Sequence, residues 1–146
     1  MEAVAPSTGY LTPSFAHATV GDAMRPWVLT CDPATPLVTV AQRMAGEQIH
    51  AIVVLSARDG GERTLHGVVT DGALLRHAAR VDELTAADVS DTEILRAHAN
   101  ERLADVADRM ARHGVAHVLV VDPASGRPVG VLSTLDVARV LAWGRA

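Results

Sequence analysis

The chain has 146 residues, 49% of them hydrophobic, which is one domain's worth of chain with enough apolar side chain to bury a core. A net charge of −4 with no basic run argues against a nucleic-acid or anionic membrane surface as partner, and two Trp, one Tyr and one Phe leave little to stack on bases. The single cysteine, Cys31, excludes an intrachain disulfide and a thiolate metal cluster.

Residues 1–18, "MEAVAPSTGYLTPSFAHA", lack the basic and apolar regions of a signal peptide. Pro6, Gly9, Pro13 and their Ser and Thr neighbours punctuate a stretch without periodicity, which is expected to be a flexible arm. No apolar run reaches the length of a membrane span, and the expected location is cytoplasmic.

The rest of the chain repeats itself. Residues 21–55 fall on residues 87–121 without a gap, so that Val40-Ala41 meets Val106-Ala107 and Arg43-Met44-Ala45 meets Arg109-Met110-Ala111. The first copy then carries three extra residues in a Gly-rich turn, and Gly67 resumes on Gly130. Such a difference is cheap, because the entropy of loop closure grows slowly with length.

Each copy predicts the same elements in the same order. "TVGDAM" at 19–24 and "TAADV" at 85–89 read as short lead-in helices. Extended pieces follow at 27–30 ("WVLT") and 93–96 ("EILR"). Leu37, Val40, Ala41 and Met44, and likewise Leu103, Val106, Ala107 and Met110, mark one face of a helix. Gly46 and Gly114 are placed to stop those helices. Apolar strands at 51–55 and 117–121 precede a turn, a second strand ("LHGVV" and "VGVL") and a second helix from about residue 71 or 134. The fold class is therefore α+β, two β-α-β-β-α repeats packed sheet to sheet with pseudo-two-fold symmetry. The divisions are an arm at 1–18, a first repeat at 19–80 and a second at 81–146. One copy is too small to bury both faces of its hairpin, and burial of each Val or Leu is worth about 1.5–3 kcal/mol, so the pair is the expected folding unit.

The repeat, together with "GVLSTLD" at 130–136 and the "HVLVVD" run at 117–122, resembles a tandem pair of cystathionine-β-synthase-type (CBS) domains, a Bateman module. The resemblance covers about residues 19–143. It implies a stand-alone regulatory protein, not an enzyme, that binds an adenosine ligand (AMP, ADP or ATP) in clefts between the copies and acts in trans on an effector protein. It also implies a homodimer packed through its helices. The apolar girth of the last helix, with Leu135, Val137, Ala138, Val140, Leu141 and Trp143, asks for burial on more than one side.

Ser133 and Asp136 have two readings. Ser-x-x-Asp before an apolar run is a capping box. In the family, the position of Asp136 holds the ribose and that of Ser133 lies near the sugar or phosphate, beside a helix N-terminus suited to anions. The first copy keeps the hydroxyl at Thr70 but has Ala73 where the acid belongs. Asp71 stands two residues early, which on a helix turns it by about 200° and prevents a simple substitution. One competent site, in the second copy, is expected.

Ile94, Val115 and Val131 are the candidate adenine walls, each with ordinary core packing as the plainer role. His117 and His50 are the candidate cations for phosphate, in which case binding weakens as pH rises through the imidazole range. Trp27 is a candidate lining residue of the first cleft. The other histidines, His17, His66, His77, His98 and His113, show no metal-ligand spacing, and no zinc or other metal site is expected. No catalytic motif is present in the sequence. The rival to a nucleotide sensor is a ligand-free dimerisation or interaction module.

Overall fold

The computed structural model describes residues 12–57, 61 and 63–145. The helices are α1 (Val20–Ala23), α2 (Leu37–Glu47), α3 (Asp71–Arg76), α4 (Ala86–Val89), α5 (Leu103–His113) and α6 (Thr134–Trp143). The strands are β1 (Thr30–Cys31), β2 (Ala51–Ala57), β3 (Arg63–Thr70), β4 (Arg96–Ala97), β5 (His117–Val121) and β6 (Pro128–Ser133). A 3-10 turn, Ala78–Arg80, follows α3. The predicted β-α-β-β-α order is thus found in both copies. The extended pieces are shorter and later than the sequence suggests, since only Thr30–Cys31 and Arg96–Ala97 pair as strands.

The chain forms two compact units, and these are not simply the two repeats. One is Val28–Ile94; the other joins the residues up to Trp27 to those from Leu95 onward. The lead-in helix of each repeat therefore packs with the strands of the other repeat.

In Val28–Ile94, β1 runs parallel to β2, and β2 pairs antiparallel with β3 from Ala51↔Thr70 onward. A parallel pair needs a crossover, which α2 supplies. Leu37, Val40 and Met44 of α2 are buried with Ile52 and Val54, alternate residues of β2, and with Val69, Ala73, Ala86 and Val89. The last two come from α4, which is held by bonds from Ala86 N to Thr35 O (2.8 Å) and Ala87 N to Pro33 O (2.9 Å). Beyond α4, Asp91 and Val68 exchange backbone hydrogen bonds.

The other unit repeats this plan. β4 is parallel to β5, and β5 is antiparallel to β6 with His117 opposite Ser133 and Leu119 opposite Val131. Leu103, Val106 and Met110 of α5 are buried with Val118, Val120, Leu132 and Val140, and α1 contributes Val20. Val20 N bonds to Glu101 O at 2.9 Å, and Arg25 exchanges two backbone bonds with Val131. The expected flexible arm is engaged over its described part: Arg145 N donates to Thr12 O, Leu103 N donates to Ala18 O, and Phe15 packs on the core. Residues 1–11 lie outside the described residues.

The two long helices end differently. Gly114 caps α5 in the left-handed region at φ 61°. In the first copy Gly46 does not stop α2; the helix runs on to Glu47, and Gln48 takes the left-handed position at φ 54°. The C-cap geometry is set by where the apolar face ends, and the residue standing there must adopt it.

Candidate functional site

The junction of β6 and α6 is built from the strand end upward. Ser133 closes β6 in extended backbone (φ −114°, ψ 165°) and is the N-cap of α6. Its N–H donates to Asp136 Oδ2 at 2.8 Å, and its Oγ accepts from Asp136 N at 3.2 Å. Both halves of the capping box are formed. The second carboxylate oxygen, Oδ1, accepts from Arg139 Nη1 at 3.2 Å. Asp136 is only 7% exposed and is the one buried polar or charged residue among those described. A charged carboxylate is rarely buried without partners, and here the partners are a backbone amide and a guanidinium.

Among the described residues the same box occurs at the starts of the two predicted lead-in helices. Asp22 Oδ2 accepts from Thr19 N, and Asp88 Oδ2 accepts from Thr85 N, each at 2.8 Å. Both of these acids are exposed. The Thr-x-x-Asp pattern at 19–22 and 85–88 was the signal for them. Burial is what sets Asp136 apart.

The first copy's junction is different. Thr70 Oγ1 accepts from Ala73 N at 3.2 Å, so half of the box survives. Asp71 sits at the first helical position, where Oδ1 accepts from Gly72 N at 2.8 Å and Oδ2 lies 2.7 Å from His50 Nδ1. This contact is more than half exposed on both sides. His50 therefore has a carboxylate of its own chain beside it.

The remaining candidates divide between the units. Val131 and Ser133 lie on one face of β6 by alternation, with His117 across the ladder from Ser133. Val115 is partly buried against the core of that unit. Ile94, Thr70 and His50 belong to the other unit. Trp27 falls in the unit of the second copy's strands, 46% exposed, with the Arg25 guanidinium 5.3 Å above its ring. Cys31 is buried, and burial pushes its thiol above the ordinary range, while a Thr35 hydrogen bond and Arg43 pull the other way. Among the described residues no group of three or more His, Cys, Asp or Glu side chains is gathered as a metal site, and no helix is long and apolar enough to cross a membrane.

Comparison with known proteins bears on the whole chain. Solved structures share the fold at 20–22% identity. A CBS-domain-containing protein from Agrobacterium tumefaciens matches at 20% identity with a TM-score of 0.74, over 90% of this chain and 97% of that one. The CBS domain pair of protein MJ0100, in complex with 5′-methylthioadenosine and S-adenosyl-L-methionine, matches at 21% identity and 0.74, over 86% and 96%. A CBS domain protein from Pyrobaculum aerophilum complexed with AMP matches at 22% identity and 0.70, over 85% and 98%. No curated protein matches. The family profile for the CBS domain matches residues 20–80 and again residues 86–142. These matches account for both repeats and for both sheets, and the chain belongs to the CBS domain family.

Proposed function

We propose that this chain is a regulatory module that binds an adenosine ligand, an adenine nucleotide such as AMP, ADP or ATP, and acts on a partner protein in trans without catalysis. The observation that carries the reading is Asp136, a buried acid at a strand-to-helix junction with one oxygen committed to the helix cap and the other on a side chain that can move. Two similar structures were solved with adenosyl ligands, AMP in one and 5′-methylthioadenosine with S-adenosyl-L-methionine in the other. In this reading Asp136 accepts from the ribose hydroxyls. Ser133 and the positive N-terminal end of the 10-residue α6 face the sugar or phosphate, Val131 borders adenine, and His117 supplies charge. Thr70 and His50 mark a first-copy position without the acid, where binding is weak or nil. The module acts as a homodimer. Exposed Leu135 and Leu141 on α6 support that part of the reading.

A second reading rests on one observation. The capping box at Ser133 and Asp136 is complete, and both carboxylate oxygens have partners within the chain. A junction that only caps its helix would serve a ligand-free dimerisation or docking module. Calorimetric titration with AMP, ADP, ATP and S-adenosylmethionine separates the two. Saturable binding of any of them supports the sensor. Absence of heat and of any thermal shift with all four supports the scaffold.

A further inference from the structure

We propose that Arg139 is a latch on Asp136, holding the acid's outer oxygen until a ribose displaces it. The inference rests on the ribose reading of Asp136 given above. Asp136 Oδ2 is committed to the Ser133 amide at 2.8 Å. The ribose diol must therefore use Oδ1, and that oxygen accepts from Arg139 Nη1 at 3.2 Å. The two partners are unequal. The Asp136 side chain is 9% exposed, whereas that of Arg139 is 45% exposed and sits one turn further along α6. The guanidinium has water to retreat into, and the carboxylate does not.

An arginine three residues after a capping acid does not pair with it automatically. Arg25 stands three residues after Asp22, past the end of α1, and its guanidinium lies over the Trp27 ring instead. In the first copy Arg76 occupies the position that matches Arg139, where the acid is replaced by Ala73. Arg76 is thus an internal control, an arginine at the same helical position with no acid to hold.

Adenosine itself is the probe, because it carries the ribose without a phosphate that an arginine would attract. Its affinity is measured by calorimetry on wild type, Arg139→Gln and Arg76→Gln. Arg139→Gln is expected to bind adenosine about three- to fivefold more tightly, the scale of a partly exposed ion pair. Arg76→Gln is expected to match wild type. Raising ionic strength from about 0.1 to about 1 M shortens the screening length from about 10 to about 3 Å, so it should narrow the gap between wild type and Arg139→Gln. Equal or weaker binding by Arg139→Gln, with wild type binding normally, overturns the latch and leaves the ribose reading standing. Failure of wild type and variant alike to bind adenosine overturns both.

Discussion

A Cβ placed on Gly130 would stand 2.5 Å from the carbonyl oxygen of Arg25 and 2.7 Å from Met24 Sδ. The contact exists because the segment after α1 lies along β6, with Arg25 and Val131 exchanging backbone bonds. Gly67 repeats the relation, its Cβ site lying 2.7 Å from Asp91 O, where the segment after α4 lies along β3. The glycine that opens "GVVT" at 67–70 and "GVLS" at 130–133 is thus required by the exchanged lead-in segment.

Gly130→Ala and Gly67→Ala are therefore each expected to destabilise the fold by about 1–3 kcal/mol, the usual cost of forcing atoms into a filled site. Gly130 does not adopt a positive φ, so the cost is steric. Chemical denaturation measures it. Wild-type stability in both variants would mean that the lead-in segments do not pack as described.

The helix ends offer an opposite pair of substitutions. Gln48 holds a left-handed backbone at φ 54°, a conformation that costs a residue with a Cβ about 1–2 kcal/mol. Gln48→Gly should raise stability by a few tenths to about 1 kcal/mol, reduced by glycine's greater freedom in the unfolded chain. Gly114→Ala, at φ 61°, should lower it by about 1 kcal/mol. Urea midpoints of the two variants should move in opposite directions.

Acid should weaken the fold partly through α4. The Thr85 N–H, and then the Thr85 hydroxyl, hold the Asp88 carboxyl below its ordinary value of 3.8. A depressed folded value means that Asp88 contributes stability above about pH 4, and that the contribution fades as pH falls through the folded value. The stability difference between wild type and Asp88→Asn should thus shrink between pH 5 and strongly acidic solution. A difference independent of pH would contradict the bond to the ionised carboxylate.

Cys31 should be sluggish toward thiol reagents in the native protein. Burial raises its thiol above the ordinary 9.0 despite the hydrogen bond from Thr35 and the charge of Arg43, so little thiolate exists at neutral pH. Iodoacetamide should label the urea-unfolded chain much faster than the folded one. Equal rates would place Cys31 outside the core.

Periodicity made much of this fold legible. Leu37, Val40 and Met44, and their partners Leu103, Val106 and Met110, are buried as their spacing predicts, and the repeat itself predicts the two similar sheets. The exchange of α1 and α4 was not legible, because a repeat fixes what each copy contains but not which copy's strands a short helix packs on. Gly46 misled for a related reason: glycine permits a helix to stop without requiring it. At the site, the cap formed by Ser133 and Asp136 could be read from spacing. The burial of Asp136 could not, since it depends on how α6 lies against its sheet; the spacing of Asp136 and Arg139 offers their pairing but does not require it, as Asp22 and Arg25 show. The pairing of Asp71 with His50 was equally hidden, because it joins residues on either side of the β2–β3 hairpin.

The most direct test of the adenosine-ligand reading is calorimetric titration of AMP into wild type and Asp136→Asn. Asparagine keeps an oxygen to accept from Ser133 N–H, so the helix cap survives while the charge and the second oxygen are lost. A charge-assisted hydrogen bond of about 1.5–3 kcal/mol predicts at least tenfold weaker binding by the variant, measured at a temperature where both proteins are fully folded by circular dichroism. Equal AMP affinity in the two proteins would remove Asp136 from the site and contradict the account.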